Sequence, residues 1–150
     1  MKATQFFYHA NSKGTGSAIK LELCPANGGI RTFPTFDWRN AVTVKFDALD
    51  LAQVMQVLRG CSESIEDGKG LFHRSMTGSA VIKFAHRIEP RPGYDLAVWC
   101  KPHDGGEARE VYFMFTPAEA LAMMTAIESA MCYICFGVPE AQSVAVTENW

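Results

Sequence analysis

The residues in this chain with the most reactive side chains are cysteines, histidines and paired acids, and their spacing argues against most of the chemistry they could do. Cys132 and Cys135 form a C-x-x-C, but a redox dithiol belongs at a helix N-terminus, where the dipole lowers a thiol pKa. This pair falls near the C-terminal end of an apolar helical pattern and reads as two small residues packed in a helix. A zinc site needs further ligands at close spacing, and His9, His73, His86 and His103 are scattered singly. There is no G-x-x-x-x-G-K-[ST], no G-x-S-x-G and no H-E-x-x-H. Glu107 and Glu110 flank the start of a strand pattern and read as solvated surface, not as general acid and base. The expectation is a protein that is not an enzyme and has no cofactor and no metal.

A different chemistry suits the strands. In 79–88, Ile82, Phe84, His86 and Ile88 share one face, while Lys83, Ala85 and Arg87 share the other. In 94–101, Leu96 and Val98 oppose Ala97, Trp99 and Lys101. If the aliphatic sets are core, the polar face sets an aromatic beside cations. Tyr112 adds to that face, as do Lys20 and Lys45, and Arg31 and Phe33 lie on one side of their own strand; Trp38 is a further aromatic candidate. Binders of single strands use this mixture, because bases stack on aromatic faces and phosphates need cations along their path.

The elements that position these residues follow from periodicity. Strands are expected at 3–11, 17–24, 30–36 and 41–46, the last with Val42, Val44 and Phe46 facing in. Asp47 and Asp50 then form a capping box. Leu51, Val54, Met55 and Leu58 recur at helical spacing until Gly60. After the polar loop 61–68 the order repeats: strands at 69–75, 79–88, 94–101 and 109–115, and a helix opened by Thr116, Pro117 and Glu119 that runs to about Phe136. A fixed offset pairs Val42 with Val111, Phe46 with Phe115, Asp47 with Thr116, Asp50 with Glu119 and Met55 with Met124. The reading is an α+β domain over 3–137, made of two ββββα repeats (about 3–60 and 68–137) with twisted antiparallel sheets and two helices.

With 150 residues, 48% apolar and 20% charged, the chain can bury one sizeable core. Five cysteines in such a chain read as reduced thiols, and no signal peptide or membrane span is expected, which places the protein in the cytoplasm, the nucleoid, or a host cytoplasm if phage-encoded. A net charge of −2 disfavours a polyanion partner at first sight. Yet within the strand-like stretches, basic residues such as Lys20, Arg31, Lys45, Arg74, Lys83 and Lys101 outnumber acidic ones, which gather at helix starts and in loops. Residues 138–150 read as a mobile acidic tail, with a tip at Thr147, Glu148, Asn149 and Trp150 similar to tails that recruit proteins or compete for a basic groove.

Four strands and a helix, twice over, with capped helices after V-T-V-K-F-D and V-Y-F-M-F-T-P-A-E, resemble the Whirly fold of the plant Whirly proteins and kinetoplastid guide-RNA-binding proteins. A half-sized version occurs in positive-cofactor-four type coactivators and their phage relatives. The lysine-rich K-G-K-A-L motif of the plant family is not present. The resemblance implies single-strand binding, of DNA or RNA, by the sheets, and an oligomer with helices in the core or the subunit interface; the reading taken here favours DNA over RNA, with little sequence specificity, in a homo-oligomeric dimer or tetramer. The site residues read from the strand faces are Lys20, Arg31, Phe33, Trp38, Lys45, Lys83, Arg87, Trp99, Lys101 and Tyr112. The alternative is a phage or bacterial interaction module whose aromatic and basic face binds protein instead.

Overall fold

The computed structural model describes residues 41–136, apart from the Tyr133 side chain, and the backbone of four earlier strands. These are β1 (Ala3–His9), β2 (Ala18–Cys24), β3 (Ala26–Asn27) and β4 (Thr35–Phe36). They are followed by β5 (Val42–Phe46), α1 (Ala48–Leu58), β6 (Leu71–Arg74), β7 (Gly78–Arg87), β8 (Gly93–Pro102), β9 (Arg109–Phe115) and α2 (Pro117–Phe136).

The first sheet is antiparallel in the order β1-β2-β5. Of the third strand expected at 30–36, only Thr35–Phe36 lies within the described residues; it pairs with Ala26–Asn27 in a separate two-stranded ladder, and β5 pairs directly with β2. The alternation of both strands explains the pairing. Val42 faces Leu23, Val44 faces Leu21 and Phe46 faces Ile19, so the apolar positions fall on one face in register.

The second sheet is the expected meander β6-β7-β8-β9, all antiparallel. β6 has four residues and covers only half of β7, which has ten. The remaining edge is met by the preceding loop, where His86 N–H donates to the Glu63 carbonyl (2.8 Å) and Ser64 bridges Ala85. That loop includes a 3-10 turn at Ile65–Gly68, whose Ile65 is buried in the core. Gly93, at the start of β8, is required by close approach: a Cβ there would collide with the Phe115 carbonyl oxygen of β9.

Both helices are capped as their sequences dictate. The Asp47 carboxylate accepts from Leu49 and Asp50 N–H (2.8 and 3.0 Å), and Asp50 accepts in return from Asp47 N–H (3.0 Å). At α2, Glu119 accepts from both the backbone N–H and the hydroxyl of Thr116 (2.8 and 2.9 Å), bonds that hold its carboxyl below the usual carboxylate range. The helices pack on each other and on the second sheet, α1 against β7 and α2 against β8 and β9. Arg59 and Glu128, 69 residues apart and so at equivalent positions of the two repeats, form an ion pair at 2.8 Å. Between helices and sheets lie Val44, Phe46, Leu51, Val57, Ile82, Phe84, Leu96, Val98, Val111, Phe113, Met123 and Ile127, all buried. By length and composition α2 is apolar enough to cross a membrane, but Ala120, Met123 and Ile127, at three- and four-residue steps, bury one stripe in this core.

Candidate nucleic-acid interface

The helices cover one face of the second sheet, so alternation exposes the other. Cross-strand register arranges that exposed face in rows. One row runs Phe72, Val81, Trp99, Glu110 across the four strands; the next runs Lys83, Ala97, Tyr112; and a third runs Ala85, Asp95, Met114. On the other side of the first row lie Arg74, Ser79 and Lys101. Trp99 is 37% exposed and Tyr112 39%, while Phe72 and Met114 reach 65%. Ile82, Phe84, Leu96 and Val98, at the alternate positions of β7 and β8, are 3% exposed or less. Trp99 and Tyr112 are diagonal neighbours on adjacent strands, a spacing of about 7–8 Å.

The face opens at its β6 edge into a groove of about 1080 Å³ shared with β5. Lys45, Arg74, Lys101 and Arg109 contribute cations to its lining, and Phe72 lines it as well. Lys20 of β2 stands opposite Lys45 in the register of the first sheet. Four acids border the groove too: Asp47 and Asp50 are tied into the helix cap, Asp50 also pairs with His73 at 3.1 Å, Asp104 accepts from Gly106 N–H, and Glu107 is exposed. Phe72, Arg74 and Lys101 belong both to the exposed face and to the groove lining, so the two adjoin there.

Of the residues singled out from sequence, Lys83, Trp99, Lys101 and Tyr112 come together on this face and Lys45 stands in the adjoining groove. Arg31, Phe33 and Trp38 lie outside the described residues, and of Lys20 only the strand position is described. Arg87 reaches the same face but is engaged: its Nε donates to Asp95 at 2.8 Å, and its Nη1 donates to the Arg91 carbonyl. Asp95 also accepts from Tyr112; burial, and then this bond and the carboxylate's charge, push the Tyr112 phenol above its ordinary pKa, against the opposing pull of Arg87. Sequence reasoning misses Phe72, Arg74 and Met114 as site residues. The alternation of Leu71 and His73 inward against Phe72 and Arg74 outward carries the signal for the first two, in a strand of only four residues.

Among the described residues no group of three or more histidines, cysteines or acids could hold a metal ion. Cys132 and Cys135 are exposed near the end of α2, not packed within the helix bundle as expected from sequence. Burial pushes the Cys100 thiol up, away from reactivity.

No sequence-family model matches the chain, and no curated protein matches it by sequence. Its fold does match solved structures. The crystal structure of WHY1 from Arabidopsis thaliana superposes with a TM-score of 0.69 at 17% identity, covering 96% of this chain and 91% of that one. The plant transcriptional regulator PBF-2 gives 0.64 at 16%, covering 89% and 75%. A guide-RNA-binding protein complex bound to a guide RNA gives 0.51 at 17%, covering 89% and 92%. The chain has the Whirly fold.

The bonding of Arg87 separates it from its neighbour Lys83. Arg87→Ala is expected to lower folding stability by about 1.5–3 kcal/mol, the range for hydrogen bonds to charged groups, whereas Lys83→Ala stays within about 0.5 kcal/mol. Urea denaturation of the two variants checks this, and equal midpoints would mean that the Arg87–Asp95 pair holds nothing together.

Proposed function

We propose that this protein binds single-stranded nucleic acid across the exposed face of its second sheet and the adjoining groove. The observation that carries this reading is the exposure of Phe72, Trp99 and Tyr112 on one face with Lys83, Arg74 and Lys101 at neighbouring register positions. Aromatic rings accept any base because every base has a π-face, and the cations track the backbone between them. Sequence specificity from such contacts is low. The Whirly fold supports the reading, since one of the structures that share it is bound to a guide RNA. No step of this function needs a catalytic group.

Salt dependence tests it. If Lys45, Arg74, Lys83 and Lys101 each neutralise one phosphate, log affinity for an oligothymidine should fall against log salt with a slope near −3, at about −0.7 per contact. Lys83→Ala should flatten the slope by about 0.7. Trp99→Ala should cost about 1–3 kcal/mol of affinity and leave folding nearly intact, whereas a core tryptophan would lose about 3–5 kcal/mol of stability. Absence of binding at low salt would discard the reading in favour of a protein-interaction face.

The second element of the proposal is self-association through α2. Leu121 is 59% and Phe136 89% exposed on a helix with few charges, and Met131 and Ile134 are only half-buried. A second copy would cover that apolar surface. Sedimentation at micromolar concentration should give a dimer or tetramer; a monomer would contradict it.

A further inference from the structure

Glu110 is out of place on a surface built for a polyanion. It is exposed, stands opposite Trp99 in the β8–β9 register, and forms no ion pair with a described residue. Asp95, the other acid in the rows of this face, is neutralised by Arg87 and bonded to Tyr112. A carboxylate with no ion pair among the described residues, set beside the stacking platform, repels phosphate, so it weakens binding unless it accepts hydrogen bonds from the base.

Only one common base offers a carboxylate two parallel donors on its Watson–Crick edge: guanine, with N1–H and N2–H₂. Adenine presents one donor beside an acceptor, thymine and uracil one donor between two acceptors, and cytosine one donor. Directly opposed residues of an antiparallel pair have Cβ atoms about 4.5–5.5 Å apart, so a base lying on the Trp99 ring directs its edge within reach of the Glu110 side chain. We infer that Trp99 and Glu110 together form a guanine-preferring base site, with the ring as platform and the carboxylate accepting from N1–H and N2–H₂. This deepens the single-strand reading and rests on it. One such site gives a preference for a single position within an otherwise sequence-tolerant strand.

Fluorescence anisotropy tests it with a labelled oligothymidine carrying isolated guanines, and with matched strands carrying hypoxanthine or adenine instead. Hypoxanthine keeps N1–H and lacks the N2 amine. The parent protein should bind the guanine strand about tenfold tighter than the adenine strand, as a good bidentate contact implies, with hypoxanthine between. Glu110→Gln should move two quantities in opposite senses: affinity for plain oligothymidine rises, because a negative charge is gone, while the guanine preference collapses. If the carboxylate serves only surface solubility, Glu110→Gln raises all affinities alike and leaves the ratios unchanged. Equal binding of the three strands by the parent, or ratios that survive Glu110→Gln, overturns the guanine site while the single-strand reading stands. Failure to bind any strand overturns both.

Discussion

The two-residue period of an antiparallel strand is the constraint on which the rest of this molecule depends. Ile82, Phe84, Leu96 and Val98 are committed to the core beneath α1 and α2, and in strands without a bulge their neighbours must then face the other way. Lys83, Trp99 and Lys101 reach solvent for that reason, and the register with β9 and β6 adds Tyr112, Met114 and Phe72. Packing energy therefore positions the candidate interface: burying a Val, Leu, Ile or Phe side chain is worth about 1.5–3 kcal/mol, and a one-residue slip of β7 or β8 would expose several at once.

Electrostatics resolves an apparent conflict between a chain of net charge −2 and a surface suited to phosphates. Many of the acids are occupied within the fold. Asp47 and Asp50 cap α1, Glu119 caps α2, Glu128 pairs with Arg59, and Asp95 pairs with Arg87. Their charges are offset by helix dipoles or guanidinium groups at short range. Lys83 and Lys101 point into solvent from the middle of a sheet, where a screened field of about 8 Å range is set by nearby groups rather than by the sum over the chain. Total charge by itself therefore does not argue against the proposed partner.

The second repeat was legible in the sequence almost residue for residue, because β7, β8 and β9 are long, alternate cleanly and are separated by proline and glycine. The capping boxes at Asp47 and Thr116 were equally plain, being local contacts over three residues. The first repeat was harder. Its β3–β4 ladder has two residues per strand, too short for any period to register. The site was readable only where a strand was long enough to fix a face. Phe72 escaped because β6 is short, and the engagement of Arg87 escaped because its partner, Asp95, lies on the neighbouring strand. Pairings of that kind are set by register, which alternation alone does not reveal.

The central claim is that bases stack on the exposed ring of Trp99, and tryptophan fluorescence reports such contact directly. The chain has three tryptophans, so Trp38→Phe and Trp150→Phe in one protein leave Trp99 as the sole emitter. Titration with oligothymidine at low salt should quench that emission to saturation, and added salt should restore it as the strand dissociates. Binding by anisotropy with no change in Trp99 emission would place the strand elsewhere on the molecule and contradict the account.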